Sequence, residues 1–168
     1  MSEFGSIERS GSDGESSQLH KYLTFVLGSV YYGLDIQFVR EIIGMQEITV
    51  VPDVPAFIRG VINLRGKVIP VMDVRRRFSM EGRPYDERTC IVVIHVEDWL
   101  VGLVVDTVSE VLDIPAAAIE PPPEAFGLGQ RRDHFIAGMG KVGDDVRMLI
   151  DARRLLGRVS VPATGIEA

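Results

Sequence analysis

Cysteine and histidine are scarce in this sequence. Its 168 residues include one cysteine, Cys90, and three histidines, His20, His95 and His134. A single cysteine cannot form an intramolecular disulfide, so a reducing compartment fits best, and the cytoplasm is the default. The histidines are too dispersed to form a local pair of ligands, and no C-x-x-C or H-E-x-x-H motif is present. We therefore expect no metal site, and we expect Cys90 to be a core residue because it lies within the apolar run TCIVVIHV.

The sequence also has no excess of positive charge and no long apolar run. Eighteen Lys and Arg stand against 24 Asp and Glu, and the net charge of −6 argues against a nucleic-acid binder. No apolar run approaches the roughly 18 residues that span a bilayer, so we expect no direct membrane insertion. Residues 1–19 and 158–168 lack hydrophobic periodicity and are expected to be flexible tails.

What the sequence does contain is a series of short runs rich in Val and Ile. Apolar residues make up 46% of the chain, and runs such as YLTFVLG, KVIPVMDV and VRMLID are separated by turn residues. This spacing predicts an all-β chain folded as small barrels or a sandwich. Short connections at residues 65–66, 97–98 and 143–145 predict antiparallel hairpins.

Helices are expected to be few and short. Asp73 is placed to cap a helix in VRRRF, and Asp151 is placed to cap one in ARRLL. The segment IQFVREII, residues 36–43, fits either a helix or a turn followed by a strand. Pro70 has no amide hydrogen, so its strand is expected at a sheet edge or with a bulge. Apolar residues thin out at residues 79–87, where we expect the junction between two subdomains.

The glycines of GMGKVG match the G-x-G-x-x-G spacing of dinucleotide-binding sites. They are Gly138, Gly140 and Gly143. Such a site needs a strand before the motif and a helix after it, whereas Asp144 and Asp145 follow here and would repel phosphate. We therefore predict a hairpin that contains glycine. A nucleotide-dependent enzyme that uses this motif is the alternative from another functional class.

Arginine stands out at two places. Arg75, Arg76 and Arg77 form a basic cluster that predicts a solvated helix face, with contact to an acidic partner as the alternative. Arg65 lies at the tip of the hairpin predicted for GVINL and KVIPV. Its guanidinium is suited to a carboxylate of another protein, and the alternative is a turn residue exposed to solvent without a partner.

The sequence strongly resembles one known family. Residues 55–78, PAFIRGVINLRGKVIPVMDVRRRF, resemble the signature region of the CheW family of chemotaxis coupling proteins. Upstream, YLTFVLGSVYYGLDIQFVREII resembles the opening strands of that family. Downstream, VGLVVDTVSEVLDIP and GMGKVGDDVRMLIDARRLL resemble its later strands, closing hairpin and short helix. The resemblance covers about residues 20–157.

The resemblance implies a mainly β fold of two small five-stranded SH3-like β-barrel subdomains with a few short helices. It implies a non-enzymatic adaptor without a cofactor, located in the cytoplasm at receptor arrays on the inner face of the membrane. Its implied partners are the regulatory domain of the histidine kinase CheA and the cytoplasmic hairpin tip of methyl-accepting chemotaxis receptors. An adaptor that serves another motility or signalling array is the alternative pathway.

The resemblance also implies particular site residues. By motif match, Val39, Glu41, Gly60, Arg65 and Val108 fall on positions associated in the family with receptor or kinase coupling. Arg65 is expected to form a salt bridge with a receptor carboxylate. Val39 and Val108 are expected to line an apolar groove for the receptor helix.

The surface that faces the kinase is less defined by the resemblance. The family docks its barrel ends on matching barrels of the kinase, and exposed Val and Ile between Phe57 and Leu64 are the candidates. The triple arginine and residues 125–135 carry the least family pattern, and no role is assigned to them.

Overall fold

The computed structural model describes residues 19–122 and 135–157, which form eleven strands and two short α-helices. Residues 1–18 and 158–168 of the two expected tails lie outside the described residues, as do His134 and residues 125–134. The strands are β1 (Leu19–Leu27), β2 (Val30–Asp35), β3 (Val39–Gly44), β4 (Ile58–Leu64), β5 (Lys67–Asp73), β6 (Cys90–Val96), β7 (Trp99–Val105), β8 (Thr107–Pro115), β9 (Ile119–Glu120), β10 (Ile136–Val142) and β11 (Asp145–Ile150). The helices are α1 (Val74–Arg77) and α2 (Ala152–Leu156), and 3-10 turns lie at Ile36–Phe38 and Ala116–Ala118. Neither α-helix in this part of the chain has the length and apolar character needed to cross a membrane.

The strands form two sheets. One has six strands in the order β8-β1-β2-β11-β10-β9, and the other has five in the order β3-β6-β7-β5-β4. Neighbouring strands are antiparallel except for two parallel pairs, β2 with β11 and β5 with β7. The prediction of an all-β fold is confirmed. The first sheet has six strands rather than five because the two-residue strand β9 pairs with β10.

The chain crosses between the sheets twice, through residues 36–38 and at Asp106. The strands of the five-stranded sheet, β3 to β7, are therefore contiguous in sequence, and the six-stranded sheet combines strands from before and after them. Residues 79–87, which were expected to join the subdomains, instead connect α1 to β6 within the five-stranded part. Their low apolar content marks an exposed loop.

The hydrophobic core of the described residues has three clusters. The largest lies between the sheets and receives residues from both, including Phe25 and Leu103; we call it the inter-sheet cluster. A second cluster surrounds Ile69 and Val93 within the five-stranded sheet, and a third surrounds Ile114 within the six-stranded sheet. Strand β6 supplies alternate residues to the first two clusters, so both of its faces are buried. This burial explains why CIVVIHV shows no regular alternation of apolar and polar residues.

Most of the local signals in the sequence are confirmed. Two-residue turns at 65–66, 97–98 and 143–144 join antiparallel strands. Asp73 caps α1, because its Oδ1 accepts from the amide of Arg76 at 3.4 Å. Asp151 caps α2 in the same way, with Arg154 as donor at 3.0 Å. These features depend on two to four neighbouring residues.

The structure decides between the alternatives for residues 36–43 and for the strand that contains Pro70. It also shows the conformation of the glycine motif. IQFVREII is a 3-10 turn followed by β3. GMGKVG lies in β10 and its turn into β11, so no helix follows the glycines. Pro70 lies in β5, which has neighbours on both sides, so the expected edge position is wrong; the alternative bulge occurs on the neighbouring strand, at Arg59 opposite Val71 and Met72, rather than at Pro70. Parallel pairing of β5 with β7 begins only at Val71, so Pro70 lies just outside that paired stretch.

Candidate interaction surface

The predicted site residues lie on the outer strands of the two sheets. Val39 and Glu41 are on β3, Gly60 is on β4 and Arg65 is in the turn after it, and Val108 is on β8. In the sheet orders, β3 and β4 are the edges of the five-stranded sheet and β8 is an edge of the six-stranded sheet. All five positions therefore belong to edges rather than to the covered centre of a sheet.

Arg65 and Glu41 form an ion pair, in which Nη2 of Arg65 donates to Oε2 of Glu41. Arg65 has a φ of +53° at the hairpin tip, and Oδ1 of Asn63 accepts from the amide of Gly66 at 2.8 Å to fix the turn. The Arg65 side chain is 70% exposed and that of Glu41 is 29% exposed. The sequence predicts that Arg65 pairs with a carboxylate of another protein. No signal in the sequence indicates the pairing with Glu41 of the same chain. Because exposed pairs contribute at most about 1 kcal/mol, the guanidinium can exchange Glu41 for another carboxylate.

Gly60 allows two backbone segments to approach closely. Its φ is +144°, and an added Cβ would lie 2.1 Å from the carbonyl oxygen of Thr49. Thr49 and Val61 exchange backbone hydrogen bonds of 2.9 Å in both directions across this contact. Gly60 therefore shapes the strand that leads to Arg65, and its own surface is buried.

Val39 and Val108 are half-buried, and both pack against the inter-sheet cluster. Ile42 on β3 and Val111 on β8 do the same. The border of the inter-sheet cluster along these two edge strands is therefore apolar and only partly covered. A partly covered apolar border between two sheets is suited to receive the apolar face of a helix.

Cys90 packs against the inter-sheet cluster and is half-buried. Burial raises the pKa of its thiol, and the backbone amide of Val108 offsets part of that effect. The thiol form is favoured, as expected for a packing residue. Among the described residues, no three His, Cys, Asp or Glu side chains are grouped so that they could hold a metal ion.

Arg75 is part of a covered ion-pair network. Its Nε and Nη2 donate to the two carboxylate oxygens of Asp106 at 2.8 and 2.7 Å. Asp106 also accepts from the amide of Gly28 at 2.8 Å and from Arg83 at 3.0 Å. The side chains of Arg75 and Asp106 are only 14% and 10% exposed. The network ties the turn between β1 and β2 to α1 and to the crossing between β7 and β8.

Arg77 is held between two aromatic rings. Its guanidinium lies 4.5 Å from the ring centroids of Phe57 and Phe135, and its Nε donates to the carbonyl oxygen of Leu155 at 2.7 Å. The solvated helix face predicted for the triple arginine is therefore wrong for Arg75 and Arg77. Their partners are distant in sequence, and no local pattern indicates them.

The stretch between Phe57 and Leu64 does not present exposed Val or Ile. Its exposed side chains are Arg59 and Asn63, while Ile58 and Ile62 are buried. The apolar candidates for kinase contact in this stretch include the half-buried side chains of Val61 and Leu64, and their contact with the kinase stays a prediction.

Taken together, these observations define a class of protein: a mainly β protein of two packed sheets with a partly covered apolar border and an exposed ion pair on its edge strands. The family model of the CheW-like domain matches residues 21–160. The chemotaxis protein CheW of Klebsiella aerogenes is 40% identical over 136 residues, which are 81% of each chain, and that of Bacillus subtilis is 33% identical over 140 residues, which are 83% of this chain and 88% of the relative. The crystal structure of the scaffolding protein TtCheW from Thermoanaerobacter tengcongensis matches with a TM-score of 0.74 and 36% identity, covering 82% of this chain and 92% of that chain. The chain belongs to the CheW family, whose members have two SH3-like subdomains and couple chemoreceptors to the kinase CheA.

Proposed function

We propose that this chain is a non-enzymatic cytoplasmic adaptor. It binds the cytoplasmic hairpin tip of a methyl-accepting chemoreceptor and the regulatory domain of CheA at the same time, within arrays at the inner face of the membrane. The observation that carries the proposal is the partly covered apolar border of the inter-sheet cluster along β3 and β8 in a member of the CheW family, with the exposed Arg65 guanidinium at the hairpin tip beside β3. Simultaneous binding would make kinase activity depend on the state of the receptor.

The receptor contact is proposed for the border that includes Val39 and Val108. A receptor helix would place apolar side chains every three or four residues along this border. Arg65 would bind a carboxylate on the same helix, and Glu41 would hold the guanidinium in place before the partner arrives. We assign the kinase contact to a barrel end on the basis of the family likeness alone.

Replacing Arg65 with Glu is expected to weaken receptor binding by about 5-fold to 150-fold, which corresponds to about 1 to 3 kcal/mol. The substitution removes the donor and places a second negative charge beside Glu41. The measurement is co-sedimentation of the adaptor and CheA with receptor-bearing membranes, followed by receptor-controlled kinase activity. Folding stability should change by less than about 1 kcal/mol because the lost pair is exposed.

Arg153→Glu is the control, because the Arg153 side chain is about as exposed as that of Arg65 and forms an ion pair with Glu97 at 3.3 Å. It should retain coupling. The exchanged pair Glu41→Arg with Arg65→Glu should stay defective if Arg65 contacts the receptor, and full recovery by the exchange would show that only the internal pair matters. Full receptor-controlled activity of Arg65→Glu, or an equal loss in Arg153→Glu, would refute the role of Arg65.

A further inference from the structure

A basic pocket shares none of its lining residues with the proposed receptor border. It has a volume of about 430 Å³ and is formed by β4, α1 and the loop that follows α1. Three arginines line it, Arg59, Arg76 and Arg83. The chain as a whole carries a net charge of −6, so a pocket lined by three arginines differs from the average surface.

The fold directs two of these arginines to the pocket. The pairing of β4 with β5 shifts register between Ile58 and Gly60, so Arg59 is the extra residue of a bulge, and its side chain is exposed. Gly82 in the loop lies against the Arg76 guanidinium, and an added Cβ would be 2.8 Å from Nη2 of Arg76. A side chain at position 82 would therefore displace that guanidinium.

The arginines differ in how far their charge is already compensated. Arg83 donates to Asp106 at 3.0 Å and to Asp86 at 3.2 Å. Arg76 forms a loose ion pair with Asp73, in which Nε lies 3.9 Å from Oδ2, too far for a hydrogen bond. No ion pair between described residues involves Arg59. Arg59 and Arg76 thus retain donors that face the pocket.

Among the described residues that line the pocket, the one carboxylate is buried. The Asp73 side chain is 4% exposed, its Oδ2 accepts from the Tyr85 hydroxyl at 2.8 Å, and its Oδ1 accepts from the Arg76 amide. Burial and this hydrogen bond to Asp73 raise the pKa of Tyr85 to about 12, so the hydroxyl remains a donor at neutral pH. The charge accessible from the pocket is therefore positive.

We propose that this pocket binds a doubly charged oxyanion of the phosphate class, held by Arg59 and Arg76. Two guanidinium groups match the charge of a phosphate dianion, and their planar donors suit its oxygens. The volume exceeds that of phosphate alone and lies in the range of small-molecule sites, so a phosphate monoester also fits. This inference does not depend on the proposed coupling function.

The test is a titration of the ¹⁵N-labelled full chain with inorganic phosphate at constant ionic strength, followed by amide NMR. Saturable shifts are expected at residues 59, 73–76 and 82–85. The double variant Arg59→Gln with Arg76→Gln should bind at least tenfold more weakly. Gly82→Ala, which keeps every charge, should weaken binding several-fold because it displaces Arg76.

Arg40→Gln is the control, because Arg40 is exposed on β3 and its loss changes the net charge equally. It should change the affinity by less than twofold.

Titrations with O-phosphoserine and with adenosine monophosphate distinguish inorganic phosphate from a phosphate ester as the ligand. Affinities equal to that of phosphate support recognition of the phosphoryl group alone, and tighter binding supports an organic ester. The proposal is overturned by the absence of saturable shifts, by an equal loss in Arg40→Gln, or by acetate binding as well as phosphate.

Discussion

Asp106→Ala is expected to lower the free energy of unfolding by about 3 to 5 kcal/mol, the usual cost of removing one member of a buried ion pair. The substitution leaves Arg75 covered but without its carboxylate, and it removes the acceptor for the Gly28 amide. Urea unfolding monitored by circular dichroism measures the loss. An unfolding midpoint equal to that of the wild type would show that the network contributes little.

The same carboxylate should make stability depend on pH. Burial raises the pKa of Asp106, but hydrogen bonds from Arg75 and the Gly28 amide, together with the charges of Arg75 and Arg83, hold it below the usual value. Because the pKa is lower in the folded state, ionised Asp106 stabilises the fold above the unfolded value of about 3.9, and that stability is lost as the pH falls through the folded pKa.

Asp106→Asn should therefore be less stable than the wild type at neutral pH, and the difference should shrink below about pH 4. Asp98→Asn is the control, since Asp98 is exposed in the turn between β6 and β7. A stability difference for Asp106→Asn that stays constant across this pH range would contradict the assignment.

Gly60→Ala is expected to cost about 3 kcal/mol or more of folding free energy. The new methyl group would meet a carbonyl oxygen at 2.1 Å, and that oxygen is fixed by the hydrogen bonds between Thr49 and Val61. The positive φ adds strain for any residue with a Cβ. Thermal and urea unfolding give the change.

Gly44→Ala provides the comparison, because no heavy atom beyond its own and its two chain neighbours lies within 4 Å of the Cβ it would add on β3. Its stability should stay within about 1 kcal/mol of the wild type. Equal stability of the two variants would show that the backbone near Thr49 yields easily. Any loss of coupling in Gly60→Ala should be judged after correction for its folded fraction, and the coupling role of Gly60 itself stays a prediction.

Features set by adjacent residues were predictable from the sequence. The hairpin at 65–66, the Asp73 cap and the Asp151 cap each follow from a few neighbouring side chains, and the structure confirms them. The parallel pairing of Tyr32 with Met148 was not predictable, because more than 100 residues separate the two positions. Residues 79–87 resembled a junction for a related reason. Their composition indicates a loop, but it does not show which strands the loop connects.

The arginines show the same limit at the level of side chains. A run of three arginines usually faces solvent, but Asp106 and the rings of Phe57 and Phe135 converge on Arg75 and Arg77 only in the folded chain. The sequence placed Arg65 at a hairpin tip, as the structure does. Arg65 pairs with Glu41 because β3 and the tip of the β4-β5 hairpin lie close together in the folded chain. No local motif in the sequence predicts that proximity.

The placement of β3 to β7 between the two parts of the six-stranded sheet has a consequence for synthesis on the ribosome. The five-stranded sheet can pair once residue 105 has emerged, whereas β2 must wait for β11. β11 ends about 115 residues after β2, so at roughly 5–20 residues per second one edge of β2 has no partner for on the order of 10 s. The free edge of β2 is then open to pairing with strands of neighbouring chains, so the six-stranded sheet is exposed to misassembly on crowded polysomes until β11 arrives.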